Sequence, residues 1–153
     1  LLILNKNEHS IIQEKLNHFN ISKSKTKVIS SSFTDVYKYL NIANASLFFI
    51  KQSYSKQASA PTKFAENVAC HLPSITNSGV GDMEYYLTSY NVGELFDLSQ
   101  LENNPEYIAN RILKKIEKWE YPAPEFEKLF NEHFNKDNAV EKYSKIYSWL
   151  ISK

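Results

Sequence analysis

Residues that could bind an anion lie together at one predicted helix start. Pro61 opens this helix, a position that proline tolerates because its missing N–H would be unpaired anyway. Ser59, Thr62 and Lys63 surround it with small side chains, hydroxyls and an ammonium. Free backbone N–H groups and the helix dipole favour phosphate there, and Glu66, one turn further, can accept hydrogen bonds from two sugar hydroxyls. The alternative is an ordinary capped helix with a solvated Glu66.

A glycine loop follows the next predicted strand. Gly79 and Gly81 are spaced G-x-G, but Glu84 stands where the dinucleotide-binding pattern G-x-G-x-x-G needs its third glycine. The loop therefore indicates one of two things. It is either a flexible turn or a place where the backbone comes close to a ligand or a neighbouring helix.

The histidines and the cysteine do not have the spacing of a metal site. His9, His18, His71 and His133 are scattered along the chain, so no metal is expected. Cys70 has no catalytic partner placed by the sequence, and we expect a buried, unreactive thiol. With one cysteine, no disulfide can form within the chain, which indicates a reducing compartment.

The composition bounds the class of protein. The chain has 153 residues, of which 42% are hydrophobic, enough for one domain with a sizeable core. Eighteen basic residues against 17 acidic ones give a net charge of +1, which argues against a nucleic-acid-binding protein. No apolar run approaches the roughly 20 residues that span a bilayer. We expect a cytoplasmic protein, with the inner face of the membrane as an alternative location.

Strands and helices are predicted to alternate over the first hundred residues. Strands are predicted at residues 1–4, 27–29, 46–50, 74–76 and 94–98, the first and third being buried on both faces and the last an edge strand. Helices are predicted at residues 8–19, 35–42, 61–70, 83–89, 105–119, 126–134 and 139–151. This order predicts an α/β fold, a three-layer Rossmann-like domain with a parallel sheet and a helical C-terminal third.

Residues 61–82 carry a resemblance to a known family. Their sequence, PTKFAENVACHLPSITNSGVGD, resembles the donor-site segment of group 1 glycosyltransferases, retaining enzymes of the two-Rossmann GT-B type. The family's hallmark is a glutamate on a helix, then Ala-Cys-Gly-Leu-Pro, a short strand and a glycine loop. Weaker similarity extends to most of the chain. The resemblance implies that residues 1–153 form a single domain that binds a nucleotide sugar, half of a GT-B architecture.

The resemblance also implies a reaction and residue roles. Such an enzyme transfers a sugar from a nucleotide-diphosphate sugar to an acceptor, with retention and without a metal or other cofactor. Glu66 matches the glutamate that binds the donor's ribose. Thr62 and Lys63 match positions whose backbone N–H groups receive the distal phosphate, and Gly79 and Gly81 match the loop that closes over the site. In bacteria the family's commonest acceptors are cell-envelope polysaccharide and lipopolysaccharide.

Three positions bear on the carry-over of these roles. Phe33 lies where family members contact the base. Ala58 replaces the first glutamate of the E-x7-E motif, which holds the donor sugar, so either sugar recognition is altered or Ser55, Lys56 or Ser59 supplies that contact. His71 replaces the glycine of the Cys-Gly-Leu-Pro motif, at a helix end that favours a left-handed conformation.

The family's first strand of this domain has no counterpart before Leu1. We therefore expect a fragment of a longer enzyme that is inactive alone and depends on an acceptor-binding N-terminal domain of its parent chain. Since a parallel sheet without that strand exposes unpaired backbone, we expect a rearranged sheet, or association with a partner chain or a second copy through the open edge.

Two other functions remain as alternatives. One is a nucleotide-sugar epimerase, which shares the two-Rossmann architecture. The other is a degenerate module that binds a nucleotide without chemistry, which Ala58 favours.

Overall fold

The computed structural model describes residues 1–118 and 120–152. Within the first range, Leu101 is described by its backbone alone. The chain divides into two compact units, Leu1–Tyr39 and Leu40–Lys153. Both contain parallel strands joined by helices, which confirms the predicted α/β class. The strands form two separate ladders, one in each unit. Trp119, predicted to end a helix, lies outside the described residues.

The first unit consists of one βαβ segment and a following turn. Its elements are β1 (Leu2–Leu4), α1 (His9–His18), β2 (Lys27–Ile29), a 3₁₀ turn (Phe33–Asp35) and the start of α2 (Val36–Leu40). Leu2 of β1 pairs with Lys27 of β2 in parallel register. Leu1 and Leu2 are exposed. The prediction that this strand is buried on both faces is therefore wrong, because apolar sequence alone does not supply the elements that would cover it.

The second unit contains a three-stranded parallel sheet in the order β3-β4-β5. Its elements are β3 (Ser46–Leu47), α3 (Thr62–Ala69), β4 (Ser74–Asn77), α4 (Met83–Ser89), β5 (Gly93–Phe96), α5 (Leu98–Asn103), α6 (Pro105–Lys118), α7 (Ala123–Leu129), a π-helical turn (Phe130–Phe134) and α8 (Lys136–Ile151). Helix α5 was not predicted. The Asp97 side chain accepts a hydrogen bond from the Ser99 N–H at 2.8 Å, so it caps α5 and ends the strand that was expected to continue to residue 98.

Two hydrophobic clusters lie on opposite faces of this sheet. The first contains side chains of α3, α4, α7 and the segments that connect these elements: Phe64, Val68, Val80, Met83, Tyr90, Val92, Tyr121, Phe126 and Leu129. The second joins Ile75 and Phe96 to Ile108 of α6, with Ile112 and Ile116 partly buried beside them. Leu95 packs against the first cluster and Phe96 belongs to the second, as the alternation of a strand requires.

Strand β3 is shorter and less covered than predicted. Phe48 and Ile50 pack against the first cluster, but Leu47 and Phe49 are exposed, so the prediction of burial on both faces is wrong here as well. Among the described residues, β4 is the one strand that pairs with β3. Association of two copies through an open sheet edge stays a prediction.

Helix α3 ends at the left-handed residue that the sequence predicts. His71 has φ +51°, and the N–H groups of His71 and Leu72 donate to the carbonyls of Val68 and Asn67 at 3.1 and 2.9 Å. This is the pattern in which glycine is usual, because a side chain strains the left-handed conformation. The His71 ring stacks on Phe126 with centroids 5.6 Å apart, a contact between α3 and α7 that glycine could not make.

A buried carboxylate joins the edge strand β5 to α6. Glu94 is 4% exposed, and its carboxylate accepts hydrogen bonds from Arg111 at 3.0 Å, from Lys115, and from the Tyr121 hydroxyl at 3.4 Å. Burial, followed by the charge of Glu94, raises the pKa of Tyr121. Since a buried charge needs partners, Arg111 and Lys115 tie α6 to the sheet, and Tyr121 adds a contact from the segment before α7.

We expect Glu94→Gln to lower the free energy of unfolding by about 2 kcal/mol, because it removes two charge-assisted hydrogen bonds from a buried position. Chemical denaturation followed by circular dichroism measures the change. The matched control is Glu141→Gln, whose pair with Lys145 is on the surface and screened by water, so its loss should change the free energy of unfolding far less. Equal losses in the two variants would contradict a structural role for Glu94.

Candidate functional site

The loops after β3 and β4 leave the same edge of the sheet, because the strands are parallel. Asn77, which is fully buried, holds them together. Its Oδ1 accepts the Ile50 N–H at 2.8 Å, and its Nδ2 donates to the carbonyls of Ile50 at 3.0 Å and Ser78 at 2.9 Å. A side-chain amide thus replaces backbone pairing where the strands end. Sequence reasoning missed this role, although an asparagine between a strand and a glycine loop is a usable signal.

The glycine loop packs closely against the segment before α3. The Gly81 N–H donates to the Lys56 carbonyl at 3.1 Å, and a Cβ on Gly81 would lie 2.0 Å from the Ser59 carbonyl oxygen. Gly79 and Gly81 have φ values of +75° and +44°. The backbone of the glycine loop therefore comes close to the backbone of the loop that precedes α3. Ser59 and Gly81 are brought together as a result.

The first turn of α3 leaves backbone donors unpaired. Pro61 is the N-cap residue, and no side chain caps the helix. The Phe64 N–H reaches the Pro61 carbonyl at 3.0 Å, whereas the N–H groups of Thr62 and Lys63 have no acceptor within the described part of the chain. Lys63 is exposed and forms no ion pair with any described residue. Two unpaired donors and the positive end of the helix therefore lie at the start of α3, and the exposed Lys63 belongs to the same turn.

Glu66 lies one turn further along α3 and is half-buried. No described residue forms a hydrogen bond or an ion pair with its carboxylate, so its acceptors remain available to a ligand. Burial and then the charge of Glu66 raise the pKa of the Cys70 thiol, which also accepts a hydrogen bond from the Asn41 side chain at 3.8 Å. A raised pKa keeps the thiol protonated at neutral pH. Cys70 is half-buried, so the prediction of a buried thiol is wrong, and its lack of reactivity stays a prediction.

This arrangement can bind an anion and a polyol together. A phosphate would receive the two backbone N–H groups and the Lys63 ammonium, and hydroxyls about one helical turn away would donate to Glu66. Among the residues that the structure describes, no group of three or more His, Cys, Asp or Glu side chains could hold a metal ion.

The other predicted site residues belong to the first unit or to the loop before α3. Phe33 begins the 3₁₀ turn of the first unit and is 85% exposed. Its contact with a base stays a prediction. Ala58 lies in the loop before α3, where Ser55 and Lys56 belong to a 3₁₀ turn (Tyr54–Lys56). Lys56 contributes its carbonyl to Gly81, and a role of its side chain in binding a sugar also stays a prediction.

No family model matches the chain, and no curated protein or solved structure matches it. None of the helices in the described ranges is long and apolar enough to span a bilayer. The function therefore has to be argued from the geometry at the start of α3 and from the resemblance of residues 61–82.

The close approach of the two loops predicts unequal costs for two glycine substitutions. Gly81→Ala places a Cβ against backbone, so the loops must separate, and we expect a loss of about 3 kcal/mol in the free energy of unfolding. Gly79→Ala meets only the flexible Gln52 side chain, so its positive φ should cost about 1 kcal/mol. Denaturation curves of both variants measure this, and a larger loss for Gly79→Ala would contradict the described packing.

The charge of Glu66 near Cys70 predicts that removing this charge changes the reactivity of the thiol. Glu66→Gln removes a negative charge about 6 Å away, so the pKa of Cys70 should fall and alkylation below that pKa should speed up about threefold. Alkylation by iodoacetamide measures the rate at the chain's single cysteine. The control is Glu84→Gln, which should leave the rate unchanged. Identical rates for wild type and Glu66→Gln would mean that Glu66 does not face Cys70.

Proposed function

We propose that the chain is the donor-binding domain of a group 1, GT-B-type retaining glycosyltransferase. The observation that carries the proposal is the uncapped start of α3, where unpaired N–H groups of Thr62 and Lys63 stand one turn from the unpaired carboxylate of Glu66. A nucleotide-diphosphate sugar has complementary groups in the same order, a phosphate followed by ribose hydroxyls. The resemblance of residues 61–82 supports the same assignment.

The proposed domain is Rossmann-like, and its binding loops lie at the carboxyl ends of parallel strands, where ligands of such sheets bind. The three-stranded sheet between two helix-lined clusters supports the three-layer arrangement. The acceptor-binding domain would belong to the parent chain, and the acceptor would be a cell-envelope polysaccharide or lipopolysaccharide in the cytoplasm of a bacterium.

In the proposed transfer, the bond between the anomeric carbon of the sugar and the distal phosphate oxygen breaks. A bond from the acceptor oxygen to the same carbon forms on the same face of the sugar. The leaving diphosphate gains negative charge, which the backbone N–H groups, the helix dipole and the Lys63 ammonium would stabilise electrostatically. The acceptor's proton would pass to a group outside this chain's donor site.

A non-catalytic nucleotide-binding module is the second candidate. Ala58 favours it, because the carboxylate that would hold the donor sugar in the family is missing there. Transfer of sugar to an acceptor by the full-length parent protein would separate an enzyme from such a module.

Calorimetric titration tests the site by separating its phosphate half from its ribose half. We expect UDP, GDP or ADP to bind, and the corresponding nucleotide-diphosphate sugars to bind as well. Glu66→Ala should weaken nucleotide binding tenfold or more, since hydrogen bonds to a charged acceptor are lost, and should leave pyrophosphate binding unchanged. Lys63→Ala should weaken the binding of both ligands, because its charge faces the phosphates.

The matched control is Glu117→Ala, an exposed glutamate on α6, which should bind like the wild type. Nucleotide binding that is unaffected by Glu66→Ala would remove the ribose assignment. If neither nucleotides nor pyrophosphate bind, the uncapped start of α3 is not an anion site in this chain.

A further inference from the structure

Helix α8 has an apolar face that this chain leaves open. None of its residues, Lys136–Ile151, is buried. Val140, Tyr143, Tyr147 and Leu150 are each 53–63% exposed, and Ile146 and Ile151 beside them are exposed too. Most of the stability of a helix in a protein comes from the packing of its apolar face. A surface that covers this face would therefore stabilise α8.

The spacing of these residues describes what that surface can be. Val140, Tyr143, Tyr147 and Leu150 follow one another at intervals of three, four and three residues, the spacing of a seam between two helices. Glu141, Lys145 and Ser148 lie on the opposite side, at 100° per residue. No charged side chain interrupts the seam. An apolar partner helix with the same spacing would fit it.

We propose that the partner is a second copy of this chain, with the two α8 helices packed antiparallel about a two-fold axis near residue 145. In that register Val140 faces Leu150 of the second copy, and Tyr143 faces Tyr147. The residue numbers of the two pairs have the same sum, so one antiparallel register satisfies both. The face is therefore complementary to itself, as a two-fold interface requires. Tyrosine hydroxyls at the rim remain in water.

The exposed apolar area is near the lower end of what each partner buries in such a dimer. The six apolar side chains expose on the order of 700 Å² together, close to about 800 Å² that each partner buries in a specific interface. Tyr143 and Ile146 also line a groove of about 330 Å³ beside the π-helical turn. Side chains of a second helix therefore meet a concave surface on that side.

The charges of α8 favour a second copy over a lipid surface. The helix has a net charge of +1, from three lysines (Lys136, Lys142 and Lys145) and two acidic residues (Asp137 and Glu141). Helices that bind anionic membranes present a strongly basic polar face, and each added lysine strengthens that binding. Here the polar face carries both signs.

Sedimentation velocity of the 153-residue chain tests the proposal. We expect a species of twice 17.8 kDa for the wild type and of 17.8 kDa for Tyr147→Lys, which puts a charge into the seam. The matched control is Ser148→Lys, one residue further and on the opposite side, which should remain dimeric. Thermal unfolding of both variants separates loss of the dimer from loss of the fold. We expect the sheet-containing core of Tyr147→Lys to unfold as cooperatively as that of Ser148→Lys.

The register has a test of its own in a Cys70→Ser background. An equimolar mixture of Val140→Cys and Leu150→Cys chains should form a disulfide-linked heterodimer under mild oxidation, whereas neither variant alone should, since ten residues of helix, about 15 Å, separate like positions. A wild-type chain that is monomeric at all concentrations overturns the proposal, as does a dimer that persists in Tyr147→Lys. Binding of the wild type to anionic phosphatidylglycerol vesicles that Tyr147→Lys abolishes, without dimerisation, would assign the face to lipid.

Discussion

The candidate site depends on the buried amide of Asn77. Backbone pairing between β3 and β4 ends before the loops begin, and the amide continues it by bonding both polar groups of Ile50. A buried amide that lost these partners would be costly, so the contact has one stable geometry. That geometry fixes where residues 51–60 leave the sheet. The start of α3, and with it the orientation of Thr62 and Lys63, follows from that exit.

The fit between the two loops explains why small residues stand at fixed positions. The missing side chain of Gly81 leaves room for the backbone of Ser59, with which a Cβ would collide. The Gly81 N–H donates a hydrogen bond to the Lys56 carbonyl. The turn therefore serves two purposes, since it joins β4 to α4 and supports the loop that precedes α3. Gln52 adds a side-chain bond to the Ser78 carbonyl at 3.1 Å. The unpaired N–H groups of Thr62 and Lys63 are thus positioned by contacts that are mostly between backbone atoms.

Local patterns predicted some elements to the residue and failed on others for identifiable reasons. Residues 27–29 and 83–89 have the predicted bounds, because their apolar spacing and flanking turns agree. Helix α5 was missed, since its signal is the cap at Asp97 rather than a long periodic face. The exposure of Leu47 and the inward carboxylate of Glu94 depend on what packs against a strand, which the sequence of the strand does not contain. At the site, chemical type and spacing pointed to α3, whereas Asn77 acts through a contact 27 residues distant.

The uncapped first turn of α3 has a thermodynamic consequence. Most helices carry their own cap, which contributes about 1 kcal/mol whether or not a ligand is present. In α3 the corresponding donors are unsatisfied by any described side chain, so a bound anion would act as the cap. Folding and binding are then linked: the native state gains stability with the logarithm of ligand concentration once that exceeds the dissociation constant. If the proposed anion binds there, its supply would set how long the folded chain persists in a cell.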